Sequence, residues 1–328
     1  MDRNSRSSIF VPVLVALITG ALAGIPALLS FINTPRQIEA ELSKVRQQSE
    51  MQIKLQRDQE VATILARLDA PTVDARAGAA LSLAVLGGEE VVPILVGKLR
   101  ESSLELALLE ISGEEGVRSD RIREEKRFIN AVKQSLLTIG LPALSPLVEL
   151  NRELKFTAWH LPRSRAAHDA ETEEERVDLQ KEIDAHTRAN DEVKDVIRSL
   201  LIKVSSVEGS KAQSVSPIAQ QKISLAEIDL SYTVLIRINL AGVDLTNADL
   251  RDTRIAGVDF RNADLKGALL DDAGLGETNF EGADFEGASL VGAFNYDQAK
   301  FKGANFASAK IDNALKDYLS KNGALNVP

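Results

Sequence analysis

The sequence predicts a multidomain chain in which a single transmembrane helix and an α-helical region precede a β-solenoid. Three observations support this prediction. Residues 9–32 carry no charge, residues 60–150 show short amphipathic helices in pairs, and from Ile223 onward a large apolar residue recurs at every fifth position. A chain of 328 residues can hold two or three domains, since one core seldom serves much beyond about 250–300 residues.

The composition limits the chemistry that the chain can perform. It has no cysteine and only three histidines, which excludes disulfides, thiol nucleophiles and cysteine-based metal sites. Aromatic residues make up 4% and the formal net charge is −9, and both values argue against general nucleic-acid binding. The sequence shows no catalytic triad, phosphate-binding loop or metal-ligand spacing. We therefore expect no catalytic residue, no metal site and no cofactor.

The first region predicts a membrane anchor. A basic N-terminus (1–8) precedes the charge-free segment Ile9–Ile32, which as a helix spans about 36 Å against a hydrocarbon core of about 30 Å. A cleaved signal peptide is the alternative, because Ala21-Leu22-Ala23 fits a cleavage site, but apolar residues continue beyond it. The numbers of Lys and Arg residues on the two sides of this segment are nearly equal. We favour a cytoplasmic location for the large part of the chain that follows it.

Residues 33–59 predict a helical stalk, because nearly all are strong helix formers and Pro35 fits a first helical turn. Ile38, Leu42 and Val45 have coiled-coil spacing, but the next positions of that seam are polar. A stalk is therefore favoured over a long coiled coil, and homo-oligomerisation remains open.

Residues 60–150 contain short amphipathic helices and an internal echo at a spacing of 53 residues, in which Gly87 and Pro93 recur as Gly140 and Pro146. This pattern resembles HEAT-like repeats, in which antiparallel helix pairs stack side by side, and it places the charged stretch Gly113–Lys126 in an insertion. An ordinary small helical bundle is the alternative. The echo pairs Leu83 with Leu136, Leu86 with Ile139, Gly87 with Gly140, and Pro93 with Pro146.

Residues 151–221 predict a charged helix and a linker. The helix extends from Thr172 to Val204, and its apolar stripe also passes through His186 and Asn190. His168 and His186 lie near many acids but lack metal-ligand spacing, so we interpret them as surface or stripe residues. Ser205–Gln221 is rich in Ser, Gly and Pro and predicts a linker.

The strongest pattern covers residues 222–313. Small side chains often stand two positions before the large apolar residue, and Asp or Asn often stands directly before it. A period of five fits neither a helix nor a strand, but it suits a chain that turns a corner every five residues. Fourteen large residues are in register, and four more follow one extra residue: Leu225, Leu230, Leu235, Leu240, Leu245, Leu250, Ile255, Phe260, Leu265, Leu270, Leu275, Phe280, Phe285, Leu290, then Tyr296, Phe301, Phe306 and Ile311.

This motif, written Ala248-Asp249-Leu250 and Ala263-Asp264-Leu265, is similar to that of the pentapeptide-repeat proteins. The resemblance implies a right-handed quadrilateral β-helix with four pentads per coil. The extra residue before Tyr296 predicts a bulge at one corner. Both ends of such a stack need caps, and residues 314–328 predict a C-terminal capping helix.

Sorting the charges by residues twenty apart predicts an acidic ridge over two neighbouring faces. A third face starts nearly uncharged, with Val234 and Ile236 outward. Asp and Asn before the central residue also favour turn hydrogen bonds, so a purely structural role is the alternative for several ridge members. The acidic ridge comprises Glu227, Asp244, Asp264, Asp284 and Glu286 on one face, and Asp229, Asp249, Asp252, Asp271 and Asp272 on the next.

These features predict a membrane-anchored, non-catalytic scaffold that displays helical-repeat and pentapeptide-repeat surfaces to protein partners, with a basic partner on the acidic ridge. The family resemblance implies an alternative, a DNA-mimicking topoisomerase (gyrase) modulator. That activity needs a long dimeric rod with a strongly acidic face, whereas 15 acids and 10 bases lie between Lys222 and Lys316. The scaffold is therefore the favoured prediction.

Overall fold

A computed structural model describes residues 35–112, 118–163, 172–205 and 215–328. The predicted N-terminus (1–8) and transmembrane segment Ile9–Ile32 therefore lie outside the described residues, as does His168.

The chain divides into two compact units, Met1–Glu60 and Val61–Pro328. Helix α1 (Pro35–Leu65) confirms the helical prediction for the stalk, and its side chains at 39–60 are exposed. The last turn contributes Val61, Ile64 and Leu65 to the core of the second unit.

The second unit begins with a helical region. Its helices are α2 (Val73–Leu86), α3 (Val92–Ile111), α4 (Arg118–Ile139), α5 (Leu144–His160), α6 (Glu173–Ser205) and α7 (Pro217–Gln220). One continuous hydrophobic core runs from this helical region into the coil region that follows.

The helices do not pack mainly in the consecutive pairs that the echo predicted. Helix α4 packs against both α2 and α3, and α6 packs against both α3 and α5. From Arg118 onward, the charged stretch forms the start of α4 rather than the insertion that was predicted. Its buried Glu125 accepts a hydrogen bond from Arg76 of α2 at 2.9 Å. HEAT-like pairing is therefore not confirmed.

Helix α6 matches the long helix predicted from Thr172 to Val204. Val193, Ile197 and Leu200 on its apolar stripe are fully buried. The boundary placed between residues 150 and 151 falls inside α5, whose Asn151 and Leu154 are both buried.

The coil region repeats every twenty residues, as four pentads per coil require. Three short strands, β1 (Val234–Ile236), β2 (Arg254–Ala256) and β3 (Gly274–Gly276), form a small, open, parallel sheet on one side. Single parallel bridges connect the coils on the other sides. Every predicted central residue is buried, except that Tyr296 and Ile311 are partly buried. The register predicted from the sequence is therefore confirmed.

The predicted bulge is present at the last full coil. Asn295 has a left-handed φ of 56°, and a short 3-10 turn covers Tyr296–Gln298. Coil partners on the two sides of it are 21 residues apart, as in the bridge from Asn279 to Lys300, whereas Asn305 and Leu325, both beyond it, are again 20 apart. One extra residue is thus accommodated without breaking the ladder.

Aromatic rings fill the centre of the later coils. Phe280 stacks between Phe260 and Phe301 with centroids 5.2 Å apart on each side. The C-terminal cap predicted for residues 314–328 is observed as helix α8 (Asn313–Lys321), which buries Leu315 and Leu319 over the last coil. The apolar end of the stack is covered.

Corners of the coils carry left-handed residues at five-residue intervals, two positions after the central residue. Asn262 (φ 55°) and Gly282 (φ 71°) are neighbours at one such corner on successive coils. A Cβ on Gly282 would lie 2.5 Å from the Asn262 Oδ1 atom, whereas a Cβ on Gly287 (φ 70°) would meet no atom within 4 Å. Some corners therefore need glycine for space as well as for φ.

Within the described ranges, no single helix is long and apolar enough to cross a membrane. Two consecutive segments, Ser119–Ile139 and Leu141–His160, meet that test only as a pair, and they are bent by 120°.

We expect Gly282→Ala to destabilise the chain more than Gly287→Ala. Each change places a side chain in the left-handed region, which costs about 1–2 kcal/mol, and only the first also displaces Asn262. Thermal unfolding followed by circular dichroism measures both. Equal losses of stability for the two variants would contradict the contact with Asn262.

Candidate interaction surface

The first column of the predicted acidic ridge is stacked as expected. Asp244, Asp264 and Asp284 are bridged in parallel on successive coils. Each carboxylate accepts a hydrogen bond from the backbone N–H two residues later, at 3.1–3.2 Å. The turn role that the sequence offered as the alternative is therefore present at all three positions.

Neighbouring groups partly neutralise this column. Lys266 Nζ lies 3.2 Å from an Asp284 carboxylate oxygen and 3.9 Å from one of Asp264. Burial raises the pKa of Asp244, but hydrogen bonds from Ser224 and Thr246 outweigh it, so that this pKa lies below its ordinary value. The column is therefore partly compensated by Lys266 and by hydrogen bonds.

Asp229 does not lie on an exposed ridge. It is 6% exposed and its carboxylate accepts hydrogen bonds from Asn190 of α6 at 2.8 Å and from Ser231 at 2.6 Å. Lys194 Nζ, also from α6, is 3.2 Å from the same carboxylate. A buried charge needs such partners, so Asp229 belongs to the contact between the helical region and the first coil.

The backbone of Asp229 is held by α5. The Asn151 side chain accepts a hydrogen bond from the Asp229 N–H at 2.7 Å and donates one to the Asp229 carbonyl at 3.1 Å. In the next coil, the equivalent N–H of Asp249 donates to the carbonyl of Ile228. The amide of Asn151 thus takes the place of a preceding coil.

A second edge group is satisfied by the end of α6. The N–H of Asn239 donates to the carbonyl of Ser205 at 2.8 Å. The last carbonyls of a helix lack partners within the helix, and the edge of a strand stack has unpaired N–H groups. This one bond satisfies both, so the helical region is an N-terminal cap for the coils.

Asp249 is also withdrawn from the surface. Its side chain is 2% exposed, Arg251 approaches both carboxylate oxygens at 2.9 and 2.7 Å, and Lys155 of α5 donates at 2.9 Å. Burial alone would raise the pKa of this carboxyl, but the hydrogen bonds from Arg251 and Lys155 lower it to about 2. This ion pair adds a third link between helix and coil.

The other ridge members differ in role. Asp271 is half-buried and accepts hydrogen bonds from Ser289 and from the Val291 N–H on the next coil. It therefore links two successive coils. The exposed carboxylates, which have no ion pair within 4 Å in the described part of the chain, are Glu227, Asp252, Asp272 and Glu286.

The capping residues Asn151, Asn190 and Lys194 are not among the site residues predicted from the sequence. A signal was present for two of them, because Asn151 and Asn190 interrupt the apolar stripes of α5 and α6. A polar residue on a buried stripe must find a hydrogen-bond partner. The identity of that partner required the tertiary structure.

Comparison with known families places pentapeptide repeats in the C-terminal region. The family model for pentapeptide repeats matches residues 223–262 and 263–294 in eight copies. Curated proteins give no match.

Solved structures of pentapeptide repeat proteins align with part of the chain. One from the Arabidopsis thaliana thylakoid lumen is 24% identical over 31% of this chain and 78% of its own, with a TM-score of 0.15. One from the cyanobacterium Cyanothece 51142 is 27% identical over 26% and 61%, again at 0.15. One from Nostoc PCC 7120 is 25% identical over 34% and 97%, at 0.18.

We expect Asp249→Asn to remove part of the acid sensitivity of folding. The folded-state pKa of about 2 lies below the ordinary value, so the ionised carboxylate adds stability above about pH 4 that is lost as the pH falls toward 2. The difference corresponds to about 2 kcal/mol. Urea unfolding of both chains between pH 6 and pH 2 measures it, with exposed Asp252→Asn as control. Parallel pH profiles for wild type and Asp249→Asn would disprove this role.

Proposed function

We propose that this protein is a membrane-tethered, non-catalytic scaffold that binds protein partners through the exposed surfaces of its helical and coil regions. The observation that carries the proposal is the set of exposed carboxylates Glu227, Asp252, Asp272 and Glu286, which lack ion pairs in the described residues. They project from a backbone fixed by coil-to-coil hydrogen bonds. Fixed charges of this kind favour association with a basic surface.

The capped coil supports a scaffold because it keeps those groups in place. Asp229 and Asp249 hold the first coils on the helical region, while Glu227, Asp252, Asp272 and Glu286 stay exposed. The same internal pairing reduces the acidic face available to a mimic of duplex DNA. The topoisomerase modulator therefore remains the less favoured function.

The test uses tagged full-length chain recovered from detergent-solubilised membranes. The ridge variant carries Glu227→Gln, Asp252→Asn, Asp272→Asn and Glu286→Gln. The control variant has the same net charge through Glu89→Gln, Glu90→Gln, Glu173→Gln and Glu174→Gln, which are exposed helical positions.

We expect the partners that co-purify with wild type to be retained by the control variant and lost by the ridge variant. Their recovery from wild type should also fall between low and moderate salt, because exposed charges are screened. Equal recovery from both variants at all salt concentrations contradicts binding through the ridge. A full-length chain that stays in the soluble fraction contradicts the tether.

A further inference from the structure

The outward side of the β1–β3 sheet is apolar at both ends. Val234 and Ile236 at the first coil are 41% and 46% exposed, and Phe294 at the fourth is 50% exposed. Most other large apolar side chains of the coil region are buried at its centre. Exposed apolar groups gathered on one face indicate a contact surface.

Between these ends the face is hollow along the column of Ala256 and Gly276, whereas the exposed Arg254 stands between Val234 and Gly274 in the other column. Ala256, Gly274 and Gly276 form the floor of a groove of about 650 Å³. The Phe294 ring lies over Gly274, where a Cβ would be only 2.9 Å from the ring. Gly276 is more open, because a Cβ there would meet only ordinary contacts, the nearest at 3.5 Å. An incoming apolar side chain can therefore reach the floor beside Phe294.

The walls of the groove carry unbalanced charge. Asp252 and Asp272 are stacked on one corner, and Glu277 lies on the opposite corner. No ion pair within 4 Å involves these three carboxylates in the described ranges. Arg237 and Arg254 also line the groove, and Arg237 is already engaged within the chain. The acidic corner therefore complements a cationic group.

The size of the groove limits its occupant. From Ile236 on the first coil to Phe294 on the fourth, the groove spans about 15 Å along the stack, because successive strands are about 4.8 Å apart, and this length fits about four or five extended residues. A stable contact between two folded domains buries about 800 Å² on each partner, far more than this groove offers. A short extended segment fits where a domain does not.

We propose that this groove binds a short extended segment of a partner protein, with an apolar side chain against Ala256 and Gly276 and a Lys or Arg side chain on Asp252 and Asp272. The proposal rests on the scaffold function and specifies the kind of partner for one part of the ridge. Glu227 and Glu286 lie outside the groove, so they have no part in binding the segment.

The test measures fluorescence anisotropy of a labelled hexapeptide, Lys-Lys-Val-Leu-Lys-Lys, with the detergent-solubilised full chain. Control peptides are Glu-Glu-Val-Leu-Glu-Glu, which reverses the charge, and Lys-Lys-Ser-Ser-Lys-Lys, which removes the apolar pair. Asp252→Asn with Asp272→Asn removes the acidic corner, and Asn suits the left-handed φ of 55° and 57° at these positions. Glu227→Gln with Glu286→Gln is the matched control.

We expect the first peptide to bind at least tenfold more tightly than either control peptide. The Asp252/Asp272 variant should bind it about fivefold more weakly, as expected for two exposed ion pairs, while the Glu227/Glu286 variant should match wild type. Gly276→Leu should abolish binding by filling the floor, with Ala256→Leu as a second filling variant if the first does not fold by circular dichroism.

If the two charge variants weaken peptide binding equally, the attraction is a general electrostatic one, and the proposed binding in the groove is wrong. Binding that survives both filling variants, or no preference for the first peptide, would overturn it as well. Loss of this proposal leaves the scaffold standing if partners still depend on the ridge. If partner recovery does not depend on the ridge but peptide binding is intact, only the wider scaffold function is refuted.

Discussion

The first coil of the β-solenoid has an open edge, and the rest of the structure depends on how that edge is closed. A strand edge buried without partners for its N–H and carbonyl groups is costly, since each unsatisfied group loses about 1–3 kcal/mol. Here Asn151 supplies both partners for Asp229, and the carbonyl of Ser205 accepts from Asn239. The helical region therefore acts as the coil that would otherwise precede the first one.

This closure explains why the acidic ridge is divided in two. The carboxylates of Asp229 and Asp249 face the helical region, where Lys194 and Lys155 neutralise them. Asp252 and Asp272 occupy left-handed corners and are exposed. The same residue type thus holds the helical region at one position and lies exposed at another, depending on its place in the pentad.

The sequence predicted the coil region in detail because its constraint is local. A coil that turns every five residues needs a large residue at its centre and a small one nearby, and both recur in the amino-acid sequence. The left-handed corners were visible too, as a recurrence of Gly, Asn and Asp such as Gly242, Asn247 and Asp252. The left-handed conformation of these corner residues recurs with the same five-residue period, but it was not predicted.

The helical region was less predictable because its packing is not local. An echo between Gly87 and Gly140 suggested consecutive pairs, but α4 instead bridges α2 and α3. The candidate site shares this difficulty, since the burial of Asp229 depends on Asn190, which is 39 residues away in sequence. Spacing alone cannot distinguish an outward carboxylate from one that meets another domain.

Hydrogen exchange of the edge amides tests the capping account most directly. The account predicts that the N–H groups of Asp229 and Asn239 in the first coil are protected to the same degree as those of Asp249 and Asp259 in the second. Asn151→Ala should then release Asp229 while Asn239 stays protected through Ser205. Exchange of both first-coil amides at the rate of an unfolded peptide, with the second coil protected, would contradict the account.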